Sequence, residues 1–503
     1  VAKIIQTADL HPGEPASDTE KLWVYNALDC MVTLEVYETI EPMLDNHTRA
    51  TYEFSKSLQA PVLEMNMHGV LIDKSQRDRL LTAYSADINR LATQLNRIIE
   101  EGIGIQMNWN SPQQLKELLY ERLRLPPVRK RNAKGQLVPT ADRGALEKLS
   151  DYFVAQPIIN HILALRDLSK KAGVLRTSID TDGRIRTSFN IGGTTTGRLA
   201  SSLSDFGTGT NLQNIEQRLR RILVADPGYK FAYIDLEQAE SRAVAGIVWN
   251  LFQDGRYLDA CESGDLHTSV CKMAWRNLPW TGNLKEDKDV AELPFYRMFS
   301  YRDMAKRLGH GSNYYGQPAH MAKQTKIEQR IVSEFQGAYF SAFPGIPRWH
   351  AWVQRELRET GYLVSLTGRK RWFFGRRDDP ETLRAAIAFS PQGGIGDILN
   401  SGMLAVWRSG IAQLLLQIHD AILIQYREAD EDWVVPQAMK LLVQPFQLDH
   451  GRTLVIPCEA KVGWNWANQE TDRAGNVIGN PNGLAKWRGH DDRQRVGFLD
   501  EVL

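Results

Sequence analysis

Cysteine is scarce in this chain of 503 residues: Cys30, Cys261, Cys271 and Cys458 are scattered, and no two have metal-ligand spacing. That excludes a disulfide framework and a cysteine zinc site, and it predicts reduced thiols in a cytosol-type compartment. Net charge is nearly absent too. Lys plus Arg number 61 against 60 Asp plus Glu, for a formal charge of +1. A polyanionic partner would therefore have to be met by local patches, not by a basic protein overall. No apolar run approaches a membrane span, and the first residues lack a signal-peptide core. Internal repeats are missing, which excludes a solenoid. What remains is a chain long enough for several subdomains and a sizeable core.

The most informative positive feature is a stripe. Arg302, Lys306, His310 and Tyr314 recur every four residues. On a helix this spacing stacks them along one face, with a slow drift around the axis. Two cations suit a polyphosphate, and two flat rings suit a base or sugar. A solvated basic helix face is the plainer reading of the stripe alone.

Two carboxylate motifs tip the balance. Asp235 closes the apolar run Phe231-Ala-Tyr-Ile, which reads as a buried strand, and residues 237–252 then carry helical spacing. In Leu414-Leu-Leu-Gln417-Ile-His419-Asp420-Ala421-Ile-Leu-Ile, two β-type runs flank a polar pair, which predicts a hairpin with Asp420 at its tight end. A carboxylate at a strand end is commonly a turn or cap residue. Two of them after hydrophobic strands are better explained as a shared divalent-metal site, because Mg²⁺ takes oxygen ligands and leaves room for phosphates and water.

The order and wording of these blocks resemble the family A DNA polymerases, the group of bacterial DNA polymerase I and many phage replicases. Thr194-Thr-Thr-Gly197-Arg198-Leu followed by Asn211-Leu-Gln213-Asn214-Ile is similar to the family's TxTGRL…NLQN block. Residues 235–242 resemble the first palm motif, residues 302–314 the fingers helix, and Gln417-Ile-His419-Asp420 the last palm motif. Arg384 and Gln392, eight apart before Gly393-Gly394, resemble template- and primer-contacting positions. The similarity runs from about Tyr25 to Asn468.

The resemblance implies an α+β right-hand fold with an antiparallel palm sheet, helical fingers and a helical thumb. It implies a remnant of a 3′–5′ exonuclease domain over 1–50, thumb over 51–180, palm over 181–250 and 385–470, and fingers over 251–384. Residues 471–503 are Gly/Asn-rich at first, and a flexible extension is expected there, with partner docking as the alternative. Tyr25 and Asp29, on an expected helix over 22–40, resemble the exonuclease's third motif, but its upstream acidic partners do not precede them. Together with the start at Val1, this suggests a trimmed, processed or fragmentary chain.

Residue by residue, the resemblance implies that Asp235 and Asp420 hold two Mg²⁺ ions, Mn²⁺ substituting, with the Leu236 carbonyl as a further ligand. Lys306 neutralises the α-phosphate and can protonate pyrophosphate; Arg302 grips the outer phosphates. Glu240, supported by Tyr314, excludes a 2′-OH, and Gln238 and His310 also line the nucleotide site. Arg198 and Gln392 meet minor-groove acceptors, which every base pair presents. Asn211, Gln213, Asn214, Arg384 and Gln417 contact DNA, and His419 supports the primer terminus. Implied partners are primer–template DNA, dNTPs and a processivity factor, for a monomer in the cytoplasm of a bacterium or phage-infected cell. Basic patches at Arg129-Lys130-Arg131 with Lys134, and at Arg369-Lys370-Arg371 with Arg376-Arg377, are expected DNA-backbone contacts.

Three departures stand out. Ala421 follows Asp420 where the family usually has Glu. His310 replaces a Phe or Tyr. Gly309 adds a helix cost of about 1 kcal/mol relative to Ala, and one extra residue before Gly316 leaves either Tyr314 or Tyr315 as partner of Glu240, the helix register favouring Tyr314. A single-subunit RNA polymerase would share the aspartates and Lys306 but not a glutamate gate. An inactive DNA-binding relative would be consistent with Ala421, but not with the retained aspartates.

Overall fold

The computed structural model describes residues 17–489 apart from 133, 297–298 and 473–474. An antiparallel sheet lies at its centre. Its strands are β1 (Tyr229–Leu236), β2 (Gln413–Ile418), β3 (Ala421–Arg427), β4 (Cys458–Gly463) and β5 (Ala485–Lys486), in spatial order β2-β3-β1-β4-β5. β3 is buried from Ala421 to Tyr426, so its apolar residues do not alternate with polar ones as a one-sided strand's would. β2 and β3 form the predicted hairpin: Ile418 pairs with Ala421, leaving His419 and Asp420 as a two-residue turn. His419 takes φ +54°, the left-handed conformation such turns demand.

Register then sets the chemistry. On β1, Asp235 lies opposite Ala421 of β3 on one side and opposite Glu459 of β4 on the other. Directly paired residues share a sheet face.

Helices surround this sheet. α1 (Asp18–Ile40) begins at a capping box between Ser17 and Glu20 and buries no residue. α2 (Lys74–Ile103) is capped by Asp73 and ends at the left-handed Gly104. α3 (Gln156–Leu175) packs along it. Leu95, Ile99, Leu118, Leu119, Leu146, Ile159 and Ile162 make a core there, separate from the main one. α4 (Ala239–Phe252) follows β1, α5 (Tyr301–Asn313) carries the stripe, and α6 (Pro380–Ser409) packs against α4 and β2.

Several boundaries differ from the sequence reading. α2 runs through the expected thumb range from Lys74, where Leu80, Leu81 and Tyr84 pack on the main core. Residues 112–122 change from an α turn to a π turn at Glu117. The basic patch around Arg129-Lys130-Arg131 lies on a hairpin, Arg129–Arg131 against Leu137–Pro139. The helix after β1 starts at Ala239, since Gln238 is left-handed (φ +53°).

The expected C-terminal extension is the main correction. Residues 475–489 are not a tail apart from the central sheet: Lys486 and Ala485 pair with Lys461 and Val462, so β5 extends it. Leu484 is 4% exposed, and the Asn465 and Asn480 side chains hydrogen-bond at 2.9 Å. A Gly- and Asn-rich composition here serves tight packing, because a Cβ at Gly463 would strike the Gly483 main chain. Residues 490–503 of that extension, and 1–16 of the expected exonuclease remnant, lie outside the described residues.

Leu484→Ala should lower unfolding free energy by about 2–4 kcal/mol, the usual cost of a core truncation. A denaturant titration checks this; an unchanged midpoint would mean that the segment is not part of the cooperative fold.

Candidate active site

The open end of the sheet faces α5 across a cleft of about 550 Å³, lined by Gln238, Glu240, Lys306, His310 and Asp420 among others. Asp235, at the end of β1, and Asp420, in the β2–β3 turn, stand on the sheet side. The Leu236 N–H donates to the Asp420 carbonyl at 3.1 Å, which ties the turn to the end of β1. The Asp235 side chain is exposed, yet surrounding protein and the charge of Asp420 raise its pKa to about 6. Glu459 and Glu237 push the same way and Lys461 opposes them. Asp420 is also raised, first by burial, while Arg198 pulls it down. These are carboxylates short of positive charge.

Arg198 supplies part of it. Its Nη2 donates to Asp420 Oδ1 at 2.7 Å and to Glu240 Oε1 at 3.2 Å. The other Glu240 oxygen lies 3.4 Å from His310 Nδ1. Tyr314 packs its ring 4.8 Å from that of His310. Its hydroxyl is shut away from solvent, and burial and the Glu240 charge push the phenol far above its ordinary pKa. Tyr315, by contrast, is left-handed (φ +61°) and turns its ring onto His350. The structure thus brings Tyr314, not Tyr315, to Glu240.

The end of α5 explains this choice. Buried Asn313 donates to the Tyr257 hydroxyl at 2.8 Å and accepts from the Tyr339 hydroxyl at 2.9 Å. The Asn313 carbonyl meets His350 Nε2 at 2.8 Å, so that nitrogen carries the proton. Burial lowers the His350 pKa to about 4 and keeps the ring neutral. With Asn313 fixed on three sides, the chain leaves the helix in one direction only. A Cβ on Gly309 would make only ordinary contact with the Tyr339 ring, whereas one on Gly311 would run into Met321.

Along the stripe the cations differ. Arg302 is held by Asp265, Nε to Oδ2 at 3.1 Å. Lys306 is exposed on the cleft and has no hydrogen bond or ion pair among the described residues. Gln238, at the strained start of α4, has a buried Oε1 with no partner among the described residues.

Other expected site residues serve the scaffold here. Gln417 is 2% exposed and donates to Asn400 at 2.7 Å, so it does not face the cleft. Gln213 donates to the carbonyls of Leu199 (3.0 Å) and Gln417 (3.2 Å). Asn211 donates to the Ser201 carbonyl and accepts from the Asn214 N–H. Asn214, Arg384 and His419 are exposed, and Gln392 is half-buried on α6. In the basic patch, Arg369 turns inward to Asp397 at 2.6 Å and Lys370 reaches Asp45 at 2.7 Å. Tyr25 and Asp29 adjoin on α1, where the carboxylate raises the phenol's pKa.

Sequence reading missed Asp265, Glu459 and His267. Glu459 faces Asp235 and pairs with Lys486 of β5 at 2.7 Å. His267 lines the cleft, and burial with nearby Arg302 lowers its pKa to about 4. Only strand register and helix docking bring these to the site.

Asp235 and Asp420 offer only oxygen donors, which suits a hard cation. Among the described residues no three His, Cys, Asp or Glu side chains converge, so a cation there would complete its shell with water and substrate oxygens.

DNA polymerase family A matches residues 78–468. DNA polymerase I of Treponema pallidum is 28% identical over 471 residues, covering 88% of this chain and 43% of that protein. The thermostable DNA polymerase I of Thermus thermophilus is 28% identical over 437 residues, covering 82% and 47%. The chain spans about half the length of the curated relatives it matches. Among solved structures, the POL domain of Pol1 from M. smegmatis in complex with DNA primer-template and dNTP is similar with a TM-score of 0.67 and 26% identity, over 82% of this chain and 70% of that one.

The raised pKa of Asp235 fixes a sign. Between the ordinary 3.8 and about 6 the folded chain keeps a proton that the unfolded chain has lost, so stability falls as pH rises through that window. In metal-free buffer, Asp235→Asn should raise Tm at pH 7 and leave it unchanged near pH 3. Equal Tm differences at the two pH values would contradict the assignment.

Proposed function

Because this chain belongs to DNA polymerase family A, which matches it over residues 78–468, we propose that it is a template-directed DNA polymerase. It adds dNTPs to a primer 3′-OH: the 3′ oxygen bonds to the α-phosphorus, the bond to the bridging oxygen breaks, and pyrophosphate leaves. The observation that supports this most is the cleft itself, lined by Asp420 on the sheet side and an uncommitted Lys306 on the facing helix, with Asp235 close enough to feel the charge of Asp420.

Asp235, Asp420 and the Leu236 carbonyl would hold divalent cations, two Mg²⁺ with Mn²⁺ as substitute. Bound there, such ions supply positive charge beside the attacking and leaving oxygens. The chain's own residues do the rest. Lys306 neutralises the phosphate being transferred and can give the leaving pyrophosphate a proton. Arg302 meets the outer phosphates in exchange for part of its contact with Asp265. Arg198 moves from Asp420 to the minor-groove edge of the primer-terminal pair, so DNA entry and cation entry are linked. Glu240, backed by Tyr314 and His310, forms the wall under the sugar and crowds a 2′-OH. Arg384, Gln392, Asn214 and His419 are open to contact DNA. The scaffold roles of Asn211, Gln213 and Gln417 make them positioning residues for it.

In this reading the sheet and its flanks are the palm, residues 251–384 the fingers, and 51–180 the thumb, whose separate core allows it to follow the duplex. Residues 17–50 represent the exonuclease remnant. Cytoplasmic action as a monomer, with a processivity partner, fits the same reading; no helix among the described residues is long and apolar enough to cross a membrane. A phage origin is part of the proposal.

Primer extension tests it. Asp235→Ala or Asp420→Ala should leave less than about a hundredth of wild-type extension while primer–template affinity stays within severalfold. Extension above that level in either variant would sink the assignment.

Glu240→Ala should raise ribonucleotide use relative to deoxyribonucleotide use and slow dNTP incorporation, because the carboxylate is held by both Arg198 and His310. Steady-state rates with matched rNTP and dNTP measure it. An unchanged ratio would place the sugar wall elsewhere.

A further inference from the structure

A hairpin, Tyr362–Val364 against Lys370–Trp372, leads into the N-terminus of α6. The turn that follows it, residues 373–379, displays one ring almost completely. Phe374 is 96% exposed and Trp372 50%, whereas Phe373 between them is 9% exposed.

This display is built, not slack. The Phe373 N–H donates to the Gly361 carbonyl at 2.9 Å. Arg377 Nη1 donates to the Arg358 carbonyl at 2.7 Å, and Arg358 pairs with Asp378 at 2.6 Å. Gly375 lies so near the Thr382 hydroxyl that a Cβ would crowd it. Asp379 caps α6 by accepting from the Glu381 and Thr382 N–H groups. With both ends of the turn fixed, the main chain already holds Phe374 away from the core, so stacking on its ring costs side-chain freedom but no ordering of the backbone.

Charge says what would stack. Residues 369–379 carry five cationic side chains against two acidic ones. Arg369 and Lys370 are taken by Asp397 and Asp45. Arg371 lies over the Phe373 ring at 4.5 Å. Arg371, Arg376 and Arg377 have no carboxylate partner among the described residues. Exposed rings interleaved with unneutralised cations suit unpaired nucleotides, whose bases stack and whose phosphates need charge. An apolar protein partner would need no such charge.

The turn is also joined to the active site. Arg369, on the hairpin, packs its guanidinium against Gly197, beside Arg198. Asn400 of α6 donates to the Gly197 carbonyl at 3.0 Å. Arg384 and Gln392 follow on the same helix.

We propose that residues 372–377 are a landing site for the single-stranded template ahead of the primer terminus, one base stacking on Phe374 and Arg376 meeting a phosphate. The inference rests on the polymerase reading, and its test needs no turnover.

Fluorescence anisotropy of the full chain is compared on a blunt duplex, on a duplex with a ten-nucleotide 5′ template extension, and on a duplex with a displaced non-template flap. Phe374→Ala should bind the extended DNA roughly 5- to 150-fold more weakly, the range of one lost base stack, and the blunt duplex unchanged. Phe374→Trp should stay near wild type on both. Arg376→Ala should reduce the slope of log K against log salt on the extended DNA by about 0.7, one single-strand phosphate. Equal affinity of wild type and Phe374→Ala for the extended DNA overturns the proposal and leaves the turn to a protein partner. A loss shared with the blunt duplex, or confined to the flap, overturns it as well. Failure of the wild type to bind any of the three DNAs would instead refute the polymerase reading.

Discussion

Unbalanced negative charge at the open end of one antiparallel sheet is the constraint on which the rest of this molecule depends. Pairing of β1 with β3 and β4 is driven by burial of Phe231, Ala232, Ile234 and Ile422–Ile424. The same pairing forces Asp235, Asp420 and Glu459 toward one end, and burial, together with the charge of Asp420 on Asp235 and of Glu240 on Asp420, holds the two aspartates above their usual pKa. A hydrophobic core thus stabilises an electrostatic conflict that the isolated segments would avoid.

The basic side chains around the cleft are arranged by that conflict. Arg198 divides itself between Asp420 and Glu240, His310 closes on Glu240, and Arg302 rests on Asp265. Lys306 alone of the stripe's cations faces the cleft without a partner among the described residues. An incoming polyphosphate therefore meets one free charge at once and gains the others by exchange. This makes binding and rearrangement of the site one event, since each cation that moves to the substrate leaves a carboxylate in need of another counter-charge.

The departures from the family pattern acquire physical content in this frame. Ala421 is fully buried and paired with Asp235, so the family's usual carboxylate is replaced there by a methyl group. On the opposite side of Asp235, Glu459 contributes negative charge, tempered by Lys486 from the β5 strand. His310 gives α5 a polar contact with Glu240 that a Phe could not make. The β5 strand lies beyond the stretch matched by the family, residues 78–468, yet it completes the sheet and neutralises a residue beside the site.

Much of this was legible in the chain. The buried strand before Asp235, the tight hairpin at Asp420 and the four-residue stripe are local patterns, and backbone geometry translates them directly: period two for strands, 3.6 for helices, φ above zero in a two-residue turn. The α+β class and the family followed from the order of those blocks. Tertiary structure alone decided what the side chains meet. Nothing in the spacing of Gln417 shows that it points into the core toward Asn400, because one strand position fixes face but not neighbour. Nor could composition show that a Gly- and Asn-rich stretch pairs as β5, since weak local preference there is overridden by an open sheet edge and a pocket for Leu484. Glu459 stands beside Asp235 only through strand register across more than two hundred residues, and Arg198 reaches Asp420 only because α6 and the sheet hold their segments together. Local sequence sets dihedral preference and periodicity; which charges become neighbours is settled by packing, where long-range burial outweighs both.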